Sequence, residues 1–253
     1  KAGCPAIIGQ LPEEAELVVR EYANKFQSPI IKPQPARELD DGWAYVAVEK
    51  QEKSDSELSV TKSIKYPLPL RGKIQLINSA LAVAALEIIQ QQGWKISEKA
   101  IAEGIAKTKW SGRMQWTTWN GNKLLLDGAH NQAAAESLRN YVDTLISPSN
   151  QSQAKVTWVM GMLSTKEHDE VFKSLLRPND QLHLVPVPDH SSAVPAELAQ
   201  LAKNICPELS LCETSSDLST ALTTVFSSSN NLVVLCGSLY LVGHFLGDKA
   251  KVL

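Results

Sequence analysis

The sequence predicts an α/β protein whose second half is a mostly parallel sheet with helices on both faces. From residue 114 onwards, short apolar runs alternate with helical patterns. The runs are apolar nearly throughout, which is typical of strands that are covered on both faces. Strands joined through helices pair in parallel, so their carboxyl ends meet at one edge of the sheet. We therefore expect ligands to bind at that edge.

The first 109 residues predict a different arrangement. A short strand precedes a helix that begins near Pro12 with acidic residues in its first turn. Two strands rich in β-branched residues then form a hairpin with a polar tip, and an almost wholly apolar helix that ends at Gly93 is expected to be buried. A shorter helix starts at Ser97 as its N-cap. In order, the elements and the tip are 5–8, 11–26, 42–50, the tip 50–57, 57–69, 76–94 and 97–110.

The second half begins after the segment Trp-Ser-Gly-Arg at residues 110–113, which indicates a hinge. We therefore predict two domains, 1–109 and 110–253. The predicted strands of the second domain are 114–120, 123–129, 156–163, 181–187 and 231–238, and its helices are 131–146, 167–176, 195–204 and 216–228.

Composition excludes several classes of protein. The chain has 253 residues, of which 43% are hydrophobic and 21% charged, and Lys+Arg 25 against Asp+Glu 27 gives no electrostatic reason to expect nucleic acid. Its four cysteines lack the spacing of a zinc site. No window approaches the roughly 18 apolar residues of a membrane span. We expect a cytoplasmic protein without membrane or nucleic-acid partners.

The most informative polar residues end the strand at 123–129. Asp127 can accept hydrogen bonds from a ribose or hold a cation, Gly128 lets the backbone approach a ligand, and His130 can act as an acid or base beside developing charge. The alternative is structural: Asp127 caps the following helix and His130 is a turn histidine. The spacing alone favours neither interpretation.

Four further residues are weaker candidates when each is taken alone. Lys166 and Arg113 can bind phosphate or carboxylate, but a lone lysine is usually solvated. Asn78 lies on the apolar helix, where a buried amide needs a backbone partner or a ligand such as a base edge. Ser238 follows a strand and offers a hydroxyl, or simply belongs to a tight turn.

Other site classes find no support in the sequence. His168, Asp169 and His190 lack the spacing of a metal site. The chain contains no G-x-x-x-x-G-K-[ST] P-loop, and no GxGxxG follows a strand.

Five segments, in order, resemble motifs of the folylpolyglutamate synthase / dihydrofolate synthase family of the Mur ligase superfamily. The first segment is KAGCPAII. The second, LRGKIQLINSALAVAAL, resembles Gly-x-x-Gln-x-x-Asn-x-Ala-Leu-Ala, and the third, WSGRMQ, resembles Trp-Pro-Gly-Arg. The fourth, LLLDGAHNQAA, resembles Asp-Gly-Ala-His-Asn-Pro, and the last, VVLCGSLYLVGHFL, resembles Gly-Ser-Leu-Tyr-Leu-Val-Gly-Glu. The resemblance covers nearly the whole chain.

The resemblance implies an ATP-dependent ligase of folate biosynthesis and one-carbon metabolism. ATP phosphorylates the carboxylate of dihydropteroate or of a folate, and L-glutamate attacks the acyl phosphate to form an amide. Carried over by position, Asn78 contacts adenine, Arg113 the phosphates and Asp127 the ribose. His130 lies beside the acyl phosphate and the incoming glutamate as the catalytic residue. Ser238 and Lys166 are substrate-binding candidates.

The departures concern scaffold positions and a missing part. Ser111 and Gln132 replace prolines, Lys166-Glu167 stands for Asp-Lys-Asp, and His244 replaces a glutamate. The family's P-loop, magnesium ligands and carbamylated lysine align upstream of KAGCP, although another alignment puts Lys1 on that lysine.

The resemblance therefore implies a Rossmann-like C-terminal domain at 110–253, preceded by the latter part of a P-loop-type ATPase domain at 1–109. ATP and Mg²⁺ are the expected cofactors, with the magnesium ligands outside this chain. The chain alone is expected to be inactive, and the full-length enzyme to be a monomer. Two alternatives stay open: a non-catalytic truncated paralogue that binds nucleotide or folate, and a sister Mur ligase of peptidoglycan synthesis.

Overall fold

The computed structural model describes residues 1–49, 61–146, 156–228 and 231–251. The chain divides into two compact units, Lys1–Lys109 and Trp110–Leu253. The boundary falls at the residues where the sequence places the hinge. The predicted polar tip at 50–57 lies outside the described residues.

In the described residues, the first unit combines two small sheets, three α-helices and a short 3-10 helix at Asp40–Gly42. β1 and β2 pair in parallel, and β3, β4 and β5 form an antiparallel sheet, which confirms the predicted hairpin. Its core packs residues of β4 and β5 against α2 and α3, and the hydroxyl of buried Tyr66 donates to Ser79 Oγ at 2.9 Å. The elements are β1 Ala6–Ile7, α1 Glu13–Lys25, β2 Ile30–Ile31, β3 Arg37–Glu38, β4 Trp43–Glu49, β5 Thr61–Pro67, α2 Ile74–Gln91 and α3 Glu98–Ala106.

The apolar helix α2 is less buried than the sequence predicts. Only one face packs within the unit, and the buried residues of the helix are Gln75, Ser79, Ala80, Val83 and Ala84. The prediction that the whole helix is buried is therefore wrong for the described structure. The helix is also long and apolar enough, by length and composition alone, to cross a membrane. The expectation that no window of the chain approaches a membrane span is therefore wrong for Ile74–Gln91.

The second unit is a six-stranded sheet in the order β10-β9-β8-β11-β7-β6. All neighbouring strands pair in parallel except β6 and β7, which confirms the predicted mostly parallel sheet. The elements are β6 Gln115–Trp119, β7 Asn122–Leu126, α4 Gln132–Leu145, β8 Val156–Met160, α5 His168–Leu175, β9 Gln181–Leu184, α6 Pro195–Ile205, β10 Leu211–Thr214, α7 Leu218–Ser228, β11 Leu232–Cys236 and α8 Leu239–Lys251.

Helices cover both faces of this sheet, as predicted. Alternate residues of a strand point to opposite faces, so Trp158 and Met160 of β8 pack under α4, α5 and α6. Val159 between them packs under α7 and α8. The strands are therefore buried on both sides, which explains why they read as continuous apolar runs.

A buried ion pair between Arg139 and Asp180 lies where β8 and β9 begin, opposite the carboxyl ends of the strands. Asp180 Oδ2 accepts from Arg139 Nη1 at 2.8 Å and from Trp158 Nε1 at 2.9 Å. The backbone N–H of Arg177 donates to the same oxygen at 3.1 Å. Burial raises the pKa of Asp180, and these partners oppose the shift. The pair joins α4, β8 and the turn before β9.

Candidate functional site

The loops that follow β7, β8 and β11 are tied together at the carboxyl edge of the sheet. The backbone N–H of Gly237 donates to the carbonyl of Ala129 at 2.9 Å. Gly237 has a φ of 97°, and a Cβ there would lie 2.8 Å from the carbonyl oxygen of Gly161. Only glycine fits this conformation and approach without strain. The predicted convergence of these loops is confirmed.

The loop after β9 joins the same cluster. Leu163 and Ser192 form an isolated antiparallel bridge, and the N–H of Ser164 donates to the carbonyl of Ser191 at 2.9 Å. The N–H of Ala193 donates to the carbonyl of Met162, also at 2.9 Å. Loops from four strands therefore share one edge.

Asp127 is buried, and each of its carboxylate oxygens accepts one backbone N–H. Its side chain is 4% exposed; Oδ2 accepts from the N–H of Met114 at 2.9 Å, and Oδ1 accepts from the N–H of Ala129 at 2.8 Å. Burial raises the pKa of Asp127, while these two N–H groups and the charge of Arg113 oppose the shift. Asp127 thus joins the start of β6 to the turn after β7.

The helix α4 is capped by Asn131, whose Oδ1 accepts from the N–H of Ala134 at 3.0 Å. The alternative that Asp127 caps this helix is therefore wrong. Asp127 has a different structural role, because its hydrogen bond with the N–H of Ala129 stabilises the turn that carries His130.

Gly128 is required by packing. Its N–H donates to the carbonyl of Gly112 at 2.8 Å, and an added Cβ would lie 2.1 Å from Leu239 Cδ2. The sequence predicts that this glycine lets the backbone approach a ligand. In the structure it lets the first turn of α8 pack against the β7 loop.

His130 is half-buried, and its orientation is fixed. Nδ1 lies 2.7 Å from the carbonyl oxygen of Gly128. Because a carbonyl only accepts hydrogen bonds, Nδ1 carries the proton of this contact. No partner for Nε2 occurs among the residues that the structure describes. Nε2 is therefore the ring atom left for a reacting group.

Two cationic side chains belong to the same unit. Arg113 directly precedes Met114, and Lys166 lies in the loop after β8, with its N–H donating to the carbonyl of Leu163 at 3.3 Å. Within the described part of the chain, neither the guanidinium nor the amine takes part in a hydrogen bond or ion pair. Both are half-buried and keep their donors for a ligand.

Ser238 caps α8. Its side chain is 3% exposed, and its Oγ accepts from the N–H of Tyr240 at 3.1 Å. The hydroxyl hydrogen remains for a second partner. The observed contact agrees with the alternative that Ser238 belongs to a tight turn. A role of Ser238 in glutamate binding stays a prediction.

Asn78 belongs to the first unit and is exposed. Its Nδ2 donates to Gln75 Oε1 at 3.1 Å. The expectation of a buried amide is therefore wrong. The side chain keeps its oxygen and one N–H for solvent or a ligand, because only one donor is used.

One feature of the edge has no signal in the sequence. The rings of His190 and Tyr240 lie with centroids 3.7 Å apart at an angle of 35°. His190 is a single histidine in a loop, and only the fold shows that it meets the first turn of α8.

Among the described residues, no group of three or more His, Cys, Asp or Glu side chains is arranged to hold a metal ion.

The fold is similar to solved structures of folate enzymes. The Mycobacterium tuberculosis folylpolyglutamate synthase complexed with ADP and AMPPCP has a TM-score of 0.72 at 18% identity, with 96% of this chain and 54% of that chain covered. A bifunctional folylpolyglutamate synthase/dihydrofolate synthase from Yersinia pestis, complexed with AMPPNP and Mn ion, has a TM-score of 0.68 at 23% identity, with 99% and 54% covered.

Curated relatives agree with the structural similarity. A "probable dihydrofolate synthetase" of Schizosaccharomyces pombe is 31% identical over 184 residues, which are 70% of this chain and 43% of that protein. The dihydrofolate synthase/folylpolyglutamate synthase of Bacillus subtilis is 26% identical over 256 residues, with 99% and 55% covered. The chain spans about half the length of these relatives.

The match that decides the family covers the second unit. A family model described as "Dihydrofolate synthetase, C-terminal domain" matches residues 113–247, which is more than half of the chain. It spans the sheet, the tied loops and most of α8. The chain therefore belongs to the folylpolyglutamate synthase / dihydrofolate synthase family, of which it carries the C-terminal portion.

Proposed function

We propose that the protein containing this chain is an ATP-dependent ligase that joins L-glutamate to the carboxylate of dihydropteroate or of a folate through an acyl phosphate. The observation that carries the proposal is His130. In a domain of this family, it stands at the edge where four loops meet, with Nδ1 fixed to Gly128 and Nε2 without a partner among the described residues.

Arg113 and Lys166 supply the positive charge that phosphoryl transfer needs. Such chemistry depends mainly on positioning and on neutralising the phosphate oxygens. A guanidinium binds two phosphate oxygens at once, and a lysine acts as a compact charge. On this proposal Arg113 contacts the ATP phosphates, and Lys166 contacts phosphate or carboxylate.

His130 acts on the incoming amino acid. The ammonium group of glutamate must lose a proton before its nitrogen can attack the acyl carbon, after which phosphate leaves. Nε2 accepts that proton, while the hydrogen bond from Nδ1 to the carbonyl of Gly128 holds the ring in one tautomer. Ser238, at the start of α8, is proposed to donate its free hydroxyl hydrogen to the glutamate.

Asp127 and Asn78 are proposed on the nucleotide side. Each carboxylate oxygen of Asp127 accepts one backbone N–H and keeps a second lone pair. We propose that a ribose hydroxyl donates to this lone pair at the 4% of the residue that is exposed. The free amide atoms of Asn78 suit the edge of an adenine ring. The magnesium ligands are proposed to lie outside these residues.

The test is a ligation assay on the natural protein that contains this chain. With ATP, Mg²⁺ and L-glutamate, we expect dihydropteroate or a folate monoglutamate to gain one glutamyl residue, detected by mass spectrometry, with one ADP per amide. Omission of ATP should abolish the product. No glutamyl product from either substrate would refute the proposal.

The assay also separates the alternatives. Binding of nucleotide or folate without turnover would favour a non-catalytic paralogue, and ligation to a peptidoglycan precursor would favour a sister Mur ligase. The 253-residue chain alone contains no P-loop, so we expect it to bind ligands without turnover.

A further inference from the structure

The contact between His190 and Tyr240 is a feature of the edge that the proposed roles do not use. The imidazole lies against the phenol ring with centroids 3.7 Å apart. Tyr240 is 53% exposed, and His190 is exposed as well. A pair with this exposure contributes little to the core, so packing alone gives no reason for its position.

Several contacts hold the two rings in place. His190 follows Asp189, which has a φ of 59°, and the N–H of Ser192 donates back to the carbonyl of His190 at 2.8 Å. This turn is joined to the β8 loop through the bridge between Leu163 and Ser192. On the other side, the N–H of Tyr240 is held by the Oγ of Ser238.

The same contacts place the pair at the sheet edge that carries His130. Tyr240 follows Leu239, and Leu239 packs directly against Gly128, two residues before His130. β11 and β7, which lead into these two loops, are neighbouring strands. The loop that carries Tyr240 therefore lies next to the loop that carries His130.

The imidazole is available to a ligand. Across the described ranges, its ring nitrogens have no hydrogen bond or ion pair, including none with the adjacent Asp189. Stacking on Tyr240 restricts the ring orientation. A histidine held in this way can donate a charge-assisted hydrogen bond to a carboxylate.

We propose that His190, oriented by the ring of Tyr240, binds the side-chain carboxylate of the incoming glutamate and selects a dicarboxylic amino acid. His190 contacts the substrate, whereas Tyr240 is a positioning residue. The inference rests on the proposed ligase function and adds to it the group that recognises the far end of the amino-acid substrate.

The test measures steady-state kinetics of the natural protein with glutamate as the varied substrate. His190→Gln is expected to raise the KM for glutamate about tenfold to hundredfold, the range that loss of a charge-assisted hydrogen bond gives. The kcat and the KM for ATP should change less than about threefold, because the reacting atoms are untouched. The preference for glutamate over glutamine should fall by a similar factor.

Tyr240 provides a test that leaves His190 intact. Tyr240→Ala should raise the KM for glutamate in the same direction, and Tyr240→Phe should restore most of the affinity, since the ring is kept. A merely structural role would not be rescued in this way. His244→Gln, which makes the same change one turn further along α8, is the matched control and should leave the kinetics unchanged.

The outcomes separate the two proposals. If the wild-type protein ligates glutamate and His190→Gln keeps both the KM for glutamate and the preference over glutamine, the inference is overturned and the ligase function stands. If the wild-type protein adds no glutamate to any pteroate or folate substrate, the proposed function fails and the inference fails with it.

Discussion

His183 on β9 offers a stability test that follows from its burial. The side chain is 1% exposed, and neither ring nitrogen has a partner among the described residues. Its register partners are Val159 on one neighbouring strand and Glu213 on the other. Burial lowers the pKa of His183, and the charge of Glu213 opposes this shift only in part.

We predict that His183→Leu stabilises the protein. An unpartnered buried donor or acceptor costs about 1 to 3 kcal/mol, and the imperfect fit of leucine costs about 1 kcal/mol. The expected net gain in the free energy of unfolding is therefore up to about 2 kcal/mol at pH 8.

The effect should grow in acid. Because the folded state disfavours the imidazolium, the unfolded chain binds more protons below its pKa of about 6.5. Wild type then loses up to about 1.4 kcal/mol per pH unit, and the leucine variant does not. The excess stability of the variant should increase by up to about 1.4 kcal/mol between pH 7.5 and pH 5.5.

Urea denaturation followed by circular dichroism at several pH values measures this difference. His183→Asn, which keeps a polar group in the same place, is the matched control and should show no gain. A leucine variant that is less stable than wild type at pH 8, or a difference that does not change with pH, would contradict the account of His183.

Three further predictions concern other residues of the second unit. Asp180→Ala should lower the free energy of unfolding by about 3 kcal/mol, because Arg139 loses its buried partner and keeps only the half-exposed Asp143, while Trp158 Nε1 loses its acceptor; an unchanged denaturation midpoint would contradict this. His130→Gln should lower kcat for ligation about 10²-fold to 10⁴-fold with little change in the KM for ATP, so a near-normal kcat would remove it from the mechanism. Gly237→Ala should lower the melting temperature, because the strained φ of 97° and the 2.8 Å approach to Gly161 together cost about 1 to 3 kcal/mol; an unchanged melting temperature would argue against the tied loops.

The parallel sheet was predictable because its strands are buried on both faces and read as continuous apolar runs. β10 at Leu211–Thr214 was missed, since it is a short, partly exposed edge strand with a glutamate and a threonine. α8 was missed because Gly243 and Gly247 weaken its helical pattern.

The candidate site was predictable in its location and less so in its contacts. The rule that ligands bind at the carboxyl edge identified the loops that carry Asp127, His130 and Lys166. It could not show that both oxygens of Asp127 accept backbone N–H groups. One of these contacts reaches Met114, 13 positions away, and the other depends on the conformation of the turn. The contact of His190 with Tyr240 likewise depends on packing between distant loops.

The helix α2 shows that a local sequence pattern is insufficient to predict burial. An apolar helix predicts burial, yet the burial of a helix depends on what packs around it. Within the first unit, α2 contacts β1, β4 and α3, and much of its surface stays partly exposed. Its sequence therefore predicts the helix correctly but predicts more burial than the structure shows.

On the proposed function, the protein containing this chain forms an acyl phosphate on a folate-type carboxylate and transfers the acyl group to glutamate. The most direct measurement uses the natural protein, ATP, glutamate and a pteroate or folate substrate labelled with ¹⁸O in the reacting carboxylate. The account predicts that the phosphate released contains one ¹⁸O atom for each amide formed. Amide formation with no ¹⁸O in the phosphate would contradict it.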